Sequence, residues 1–290
     1  MSLSLSPPAD VDRSTLWLLL PILAGFALLF LPTYWRLSQN TWHDEAHAHG
    51  PFVLMIVAWL IYRQWPALRA AIGGFAPVSG GLLLSAGLLC YVLGRSQGLI
   101  LLEVGAQLPV LVGLVLLMAG WQGVRVLWFP LLFLIFMVPL PGFLIDAITG
   151  PLKSQVSALV EWVLYGLGLP ISRNGVILNI GHYQLQVADA CSGLNSMYSL
   201  SAMGLLFLNL MNYQSKLRTA LVIASILPIA FAANVIRVMT LVLVTYYLGD
   251  DAGHAFHDIA AISLYIIALL LLFGFDAMLR PLFTAKKAAP

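Results

Sequence analysis

Long apolar runs without charged side chains recur along most of the chain, and they constrain its fold more than any other feature. Of the 290 residues, 61% are hydrophobic and only 9% are charged, whereas soluble domains carry roughly 25% charged residues. A helix needs about 20 apolar residues to cross a hydrocarbon core that is ~30 Å thick. The runs are continuous rather than alternating, which favours spanning helices over the strands of a barrel. The sequence therefore predicts an all-α polytopic membrane protein.

The apolar runs predict about eight transmembrane helices, separated by short polar segments. We place these helices at residues 16–34, 52–62, 80–93, 99–118, 126–148, 194–211, 217–248 and 256–279. A polar loop is expected at residues 36–50 and a short connection at residues 121–125. The fifth run contains Pro139-Leu140-Pro141-Gly142, where the missing proline N–H groups should kink or end the helix. Residues 152–167 look amphipathic, which suits the membrane interface or a re-entrant segment.

The arginines and lysines of the short loops predict the orientation of the chain. With eight spans, one side receives most of these residues: Arg63, Arg69, Arg125, Lys216, Arg218, Arg280, Lys286 and Lys287. Both termini are then cytoplasmic, and Arg36, Arg95 and Arg173 are the exceptions on the outer side. The net charge of +2 and the lack of a basic tract give no indication of a nucleic-acid partner.

Residues 173–187 differ from the apolar runs around them. The pairs Asn174-Gly175 and Gly181-His182 are turn signals, and the segments 176–180 and 183–187 show partial alternation. This pattern predicts a small β-hairpin on the outer face.

Directly after this hairpin, residues 187–196 form a polar, glycine-containing turn that carries Cys191. The sixth apolar run starts immediately afterwards. A thiol at the head of a helix meets free N–H groups and the positive end of the helix dipole, which lowers its pKa and favours the thiolate. Cys191 is therefore a candidate nucleophile. The other cysteine, Cys90, lies inside an apolar run, so we expect two free thiols and interpret Cys90 as a packing residue.

Two further polar features are predicted close to this turn. Arg237 lies inside the seventh run, about ten residues or roughly 15 Å from its outer end, and Asn234 precedes it on the same helical face. His254 and His257 lie at the outer start of the eighth run. An arginine within the membrane is costly and therefore a functional candidate. Thiolate attack on a carbonyl, proton transfer by a histidine and stabilisation of the oxyanion by Arg237 together fit acyl transfer.

Each of these residues also has a structural interpretation. Cys191 could be a small buried residue, and Arg237 could pair with Asp146, Glu103 or backbone carbonyls. His254 and His257 could be interfacial side chains of a solvated loop. A site explains their occurrence on one predicted face better than three separate structural roles do.

A histidine-rich loop precedes the second run. His43, His47 and His49 are spaced as in a metal-binding loop, with Asp44 and Glu45 beside them. The pattern is not the His-Glu-x-x-His of a zinc protease. We therefore interpret this segment as a polar outer loop, or as a wall around His49-Gly50-Pro51 that contacts the substrate, and keep a metal site as the less favoured alternative.

The motifs Ala190-Cys191-Ser192-Gly193-Leu194 and Asn234-Val235-Ile236-Arg237, followed by His257 before the last span, resemble those of the exosortase/archaeosortase family. The resemblance covers nearly the whole chain and is most like the exosortase B branch. It implies one integral membrane exosortase domain over residues 1–290, with cytoplasmic tails at 1–13 and 281–290 and a transmembrane core at 14–280. It also implies a multi-pass protein of the bacterial inner membrane whose active site faces the periplasm.

The resemblance implies a cysteine protease or transpeptidase that uses Cys191 as nucleophile, Arg237 as stabiliser and His257 as acid and base. The implied substrates are secreted proteins that end in a Pro-Glu-Pro motif, a transmembrane helix and a basic tail. They would be passed through a thioester to an unknown acceptor, in systems associated with exopolysaccharide. No cofactor is implied. The family histidine is usually followed by a glycine, which is missing here and leaves His254 as the alternative.

Substrate contacts follow from this interpretation, and Asn234 and His49 are expected among them. The glutamate of the motif could meet Arg173, beside the hairpin, or a backbone N–H nest. Asn195 stands where many relatives carry arginine and is expected to affect substrate preference.

Three other functions remain possible at the level of sequence. A transporter or polysaccharide-export subunit would explain the broken fifth run and the intramembrane arginine, although the two halves show no obvious repeat. A non-catalytic scaffold would tolerate loss of Cys191, Arg237 and His257 alike. A metalloprotease would depend on the histidine-rich loop.

Overall fold

The computed structural model describes residues 13–43, 47–139, 142–186, 193–211 and 215–284, and this part of the chain is mostly helical. The helices are α1 (Arg13–Asn40), α2 (Gly50–Arg63), α3 (Trp65–Ala71), α4 (Pro77–Ser96), α5 (Ile100–Gly105), α6 (Gln107–Val126), α7 (Trp128–Phe133), α8 (Gly142–Gly166), α9 (Gly193–Met211), α10 (Lys216–Leu248) and α11 (Asp250–Thr284). A short 3-10 helix, Leu134–Met137, follows α7. The strands are β1 (Ile171–Asn174), β2 (Ile177–Ile180) and β3 (Tyr183–Gln186).

Several of these helices are long and apolar enough to cross a membrane. Within the described residues there are 4 of them: Leu20–Asn40, Pro77–Ser96, Ile100–Val126 and Lys216–Leu248. Helices α2 and α3 form a fifth candidate if they are counted as one span bent by 62°. The prediction of a helical, multi-pass membrane protein is thus confirmed, while the number of eight spans stays a prediction.

Two predicted connections are helical in the structure. Helix α1 continues to Asn40, so the expected loop at residues 36–50 begins later; Arg36 remains helical and pairs with Glu103 of α5. Helix α6 continues to Val126 through residues 121–125 and is interrupted only at Gly120, whose φ is 59°. Both predictions were wrong. Arg36 stays helical because it finds a partner in α5, and residues 121–125 extend α6 with Gln122 and Arg125 exposed on its surface.

The predicted break in the fifth run is confirmed. Helix α7 and the 3-10 helix end at Met137, and α8 starts at Gly142. Residues 152–167 fall almost entirely within α8, which ends at Gly166. One side of this helix is buried against the sheet and α10 through Val156, Val160 and Leu164.

The small sheet has three antiparallel strands in the order β1-β2-β3. The predicted hairpin corresponds to β2 and β3, which Gly181 connects with a φ of 57°. Strand β1 was not predicted; its Asn174 pairs with Ile177 across the turn at Gly175. The buried side chains of the sheet, Ile171, Leu178 and Ile180, pack on α8 and α10. The sheet is thereby fixed beside α10.

Helices α4 and α6 touch through glycines spaced seven residues apart on α4. A Cβ added at Gly80 would lie 2.9 Å from the Leu117 side chain, and one at Gly87 would lie 2.9 Å from the Val110 backbone nitrogen. Gly113 of α6 meets the backbone of α4 in the same way, 2.7 Å from the nitrogen of Leu84. Small residues let helices approach closely where lipid provides no hydrophobic driving force between them.

We predict that Gly87→Ala destabilises the protein by about 1–3 kcal/mol, because the added methyl group meets backbone that cannot move alone. Gly81→Ala is the matched control, since Gly81 lies in the same helix with nothing within 4 Å of an added Cβ. Thermal unfolding of the purified variants in detergent measures the difference. Equal stability of the two variants would contradict the close approach of α4 and α6.

Candidate active site

Arg237 lies inside α10, where its side chain is only 3% exposed. Arg237 lies on a buried face of the helix. The other buried residues of this face precede or follow it at spacings of three or four residues, as expected for one side of a helix. These neighbours are Ala230, Ala233, Asn234, Leu241 and Thr245. Arg237 is eleven residues before Leu248, which corresponds to about 16 Å along the helix axis. The guanidinium is therefore placed within the apolar bundle, as the sequence predicts.

Helix α11 returns along α10 after a single connecting residue, Gly249, whose φ is 91°. A Cβ added at Gly253 would collide with the hydroxyl of Thr245 and lie 3.3 Å from its Cβ. Further along, Ile226 and Leu272 belong to one buried cluster. Ile226 precedes Thr245 by nineteen residues, and Leu272 follows Gly253 by the same number. The two helices therefore run antiparallel and keep the same register between these two contacts.

This register gives the height of each histidine position on α11. Position 257 lies level with Leu241, one turn or about 6 Å above Arg237 along the axis. Position 254 lies level with Val244, about 10 Å above Arg237. Position 257 is also four residues after Gly253, which faces α10, so the two positions share one face of α11. Of the two histidines, His257 occupies the position nearer to Arg237.

Helix α9 packs against the same face of α10. A Cβ added at Gly204 would lie 2.9 Å from the side chain of Ile226, and Leu200 shares a buried cluster with Ala230 and Ala233. These contacts fix an antiparallel register in which Arg237 is level with Gly193, the first residue of α9. Helix N-termini present free N–H groups and the positive end of the dipole.

The packing of α9, α10 and α11 thus brings three predicted elements within about one helical turn of each other along the bundle axis: Arg237, the start of α9 and the position of His257. Cys191 lies outside the described residues, two positions before α9 begins. Asn234 is 4% exposed and lies one turn inward of Arg237. Asn195 lies in the first turn of α9.

Arg173 and His49 are held by other partners. On β1, the Arg173 Nε donates to the Glu161 carboxylate of α8 at 3.1 Å, and its Nη1 donates to the Gly175 carbonyl at 3.1 Å. His49 precedes α2, and its Nε2 donates to the carbonyl oxygen of Phe136 at 3.0 Å. The described contacts therefore place neither side chain beside Arg237.

The structure also separates Arg237 from one carboxylate considered as its partner. Glu103 lies in α5, where it binds Arg36 and Arg95. Asp146 is in the first turns of α8, and its side chain is not among those described. Among the described residues, no group of three His, Cys, Asp or Glu side chains could hold a metal ion. Cys90 is a free thiol at the packing contact between α1 and α4.

Sequence reasoning missed the cluster of Arg36, Arg95 and Glu103. The signal was present, because Glu103 is a carboxylate inside an apolar run and a buried carboxylate needs a cation. In the sequence, both arginines stand out only as exceptions to the charge bias of the loops. Their common partner appears once the ends of α1, α4 and α5 are seen together.

An apolar pocket opens between α9, α10 and α11, about two turns inward of Arg237. It is lined by Leu200, Met203, Gly204, Ile226, Ile229, Ala230, Ala268, Leu269 and Leu272. No side chain in this lining can donate or accept a proton, so the recess itself is apolar.

These features define a polytopic membrane protein with a polar site enclosed by apolar helices. A family model described as transmembrane exosortase matches residues 41–274, which is most of the chain. The chain belongs to the transmembrane exosortase family. This membership supports a general role as a membrane-embedded protease or transpeptidase that acts on sorting signals. No curated protein and no solved structure matches the chain at a significant level.

The contact between Gly253 and Thr245 can be tested by a double substitution. Gly253→Ala should destabilise the protein by about 1–3 kcal/mol, since the methyl group collides with a buried hydroxyl. Combining it with Thr245→Ala removes the colliding atom, so the pair should cost less than the sum of the single variants. The measurement is thermal unfolding of all three variants, with Gly274→Ala, which has open space around it, as the control. Additive losses would show that the two positions do not touch.

His49 should make stability depend on pH. Burial lowers the pKa of His49, the hydrogen bond to Phe136 acts in the opposite direction, and nearby His47 lowers it further, with a net downward shift. Below the ordinary histidine pKa of about 6.5, the unfolded chain therefore binds a proton that the folded chain resists. The stabilisation is present above this pH and is lost as the pH falls toward the lowered pKa.

We expect His49→Gln to show a smaller loss of thermal stability than the wild type between about pH 7.5 and pH 5. The exposed His43 provides the control, and His43→Gln should follow the wild type. Unfolding midpoints across this pH range make the comparison. Parallel profiles for wild type and His49→Gln would refute the assignment.

Proposed function

We propose that the chain is a cysteine transpeptidase that cleaves C-terminal Pro-Glu-Pro sorting signals through a thioester and transfers the protein to an acceptor. One observation carries this proposal: the registers of α9 and α11 on α10 bring the start of α9, next to Cys191, level with Arg237, and bring the position of His257 within about one turn of it along the helix axis. Within the family, the sequence motifs favour the exosortase B branch and a link to exopolysaccharide-associated sorting.

The first half of the reaction breaks the peptide bond. The Cys191 thiolate attacks the carbonyl carbon and forms a tetrahedral oxyanion. Collapse of this intermediate breaks the C–N bond, and a histidine donates a proton to the leaving amine. The substrate is left as a thioester on Cys191. In the second half, the same histidine accepts a proton from the acceptor nucleophile, which attacks the thioester and releases the thiolate.

Arg237 stabilises the oxyanion in this scheme. Its charge is fixed at all relevant pH values, and it lies in a poorly solvated region where electrostatic interactions are stronger than in water. The free N–H groups at the start of α9 act in the same direction. Asn234, one turn inward, supports the position of the guanidinium.

His257 is the proposed acid and base, and His254 is the alternative. The height on α11 favours His257, because one turn separates it from Arg237 whereas about two turns separate His254. A proton has to be transferred over hydrogen-bond distance, so the nearer position suits the reaction better.

Substrate recognition is proposed to use both sides of the site. The apolar helix of the substrate lies in the bilayer, bordering the apolar recess inward of Arg237. Its extended Pro-Glu-Pro segment reaches the outer side, where Arg173 could exchange Glu161 for the substrate glutamate. Asn195 and His49 are proposed as further substrate contacts. We further propose that the protein lies in the bacterial inner membrane with eight spans, both termini in the cytoplasm and the site open to the periplasm; the charge bias of the short loops supports this orientation.

A co-expressed reporter tests the proposal. The reporter ends in a Pro-Glu-Pro segment, an apolar helix and an arginine-rich tail, and its processing is followed as a shift in size. Cys191→Ala should abolish processing. Arg237→Gln should slow it about 10²–10³-fold, the usual effect of losing one oxyanion donor, and His257→Ala should reduce it far more than His254→Ala.

Cys90→Ser is the matched control and should process the reporter like the wild type. Membrane insertion of every variant is checked by its amount in the membrane fraction. Equal processing by Cys191→Ala and the wild type would disprove thiol chemistry and favour a transporter or scaffold. Loss through His254→Ala alone would assign the acid and base role to His254.

A further inference from the structure

Glu103 is the carboxylate of a charged cluster formed by α1, α4 and α5, and it is fully buried. Its Oε1 accepts hydrogen bonds from the Thr33 hydroxyl at 2.6 Å and from the Arg95 Nη1 at 3.0 Å. Its Oε2 accepts one from the Arg36 Nη2. One buried carboxylate thus holds two guanidinium groups from two different helices.

The charges of this cluster do not balance. Two arginines face one carboxylate, so the cluster carries a net charge of +1. The Arg36 and Arg95 side chains are 42% and 43% exposed, respectively. A guanidinium has five N–H donors, and the contacts to Glu103 use one nitrogen of each. The cluster therefore presents further donors and an excess positive charge on the surface.

Backbone packing fixes the position of Arg95 relative to Glu103. Gly94 of α4 is in direct contact with the backbone nitrogen of Glu103, where no side chain would fit. Arg95 follows Gly94 and is next to the last residue of α4, and Arg36 is in the last turn but one of α1. Both guanidiniums thus lie at the ends of candidate spans, at the depth where a bilayer has its headgroups.

The surroundings of the cluster are apolar and exposed. Trp35 is 70% exposed, Val92 60% and Leu99 51%. In a membrane protein such side chains contact lipid, and tryptophan is enriched at the level of the headgroups. At this depth of a bilayer, the phosphates of the lipid headgroups provide anions outside the protein.

We propose that Arg36 and Arg95, held by Glu103, form a binding site for the phosphate of an anionic phospholipid. Arginine pairs bind phosphate oxygens through parallel hydrogen bonds. The net charge of +1 matches a headgroup with one negative charge, whereas a zwitterionic headgroup brings its own cation. The site is separate from Cys191 and does not depend on the proposed reaction.

Lipid-dependent stability of the purified full chain tests this site. In detergent, added phosphatidylglycerol should raise the unfolding midpoint of the wild type more than phosphatidylcholine does. Arg95→Gln should weaken the affinity for phosphatidylglycerol about fivefold, as expected for loss of one interfacial arginine. Arg63→Gln is the matched control, because Arg63 ends α2 beside Trp59, away from the cluster, and should keep the full response.

Native mass spectrometry of bound lipids gives a second measurement, with Arg95→Lys in place of Arg95→Gln if the latter does not fold. The lysine keeps the charge but loses the planar pair of donors, so fewer phosphatidylglycerol molecules should remain bound. An equal response to both lipids, or an unchanged response of Arg95→Gln and Arg95→Lys, would overturn the proposal. An equal shift with inorganic phosphate would show a site for free anions and exclude the lipid as its specific ligand.

Discussion

Close contact between helix backbones is the constraint on which the structure depends. Apolar side chains gain little by leaving lipid for the protein interior, so association has to come from tight packing and polar contacts. Gly87 and Gly113 bring α4 and α6 together, and Gly204 and Gly253 bring α9 and α11 onto α10. A glycine contact also fixes the register of two helices, because a shift by one residue would place a side chain where none fits.

The registers fixed in this way determine which residues surround Arg237. The residues of α9 and α11 that lie near Arg237 along the helix axis are set by the contacts of Gly204 and Gly253. These contacts lie more than two turns away from Arg237 along the helices. The charged cluster around Glu103 follows the same logic, since Gly94 sets the distance between α4 and α5. In both places, residues without side chains position residues with the strongest charges. The arrangement of the charged groups therefore depends on glycines that take no part in the chemistry themselves.

Much of the fold could be predicted from local sequence patterns. The long apolar runs, the break near Pro139 and the strands on either side of Gly181 were all visible, because each reflects propensity or turn chemistry within a few residues. The strand β1 was missed, since Ile171–Asn174 is short and mostly polar and gains its structure by pairing with β2. The end of α1 was misplaced for a similar reason: Arg36 reads as a loop residue until its distant partner Glu103 is known. For the candidate site, the sequence could nominate Arg237, His254 and His257, but heights on neighbouring helices, which distinguish the two histidines, follow only from packing.

The single-residue connection at Gly249 has a consequence for how the chain enters the membrane. One residue is too short to form a separate loop, so α10 and α11 have to insert together as a hairpin. We therefore expect α11 to cover part of the Arg237 face of α10 during insertion, which would reduce the cost of bringing its charge into the apolar core. The same tight turn that sets the level of His257 thus also allows an arginine to be carried into the bilayer during biogenesis.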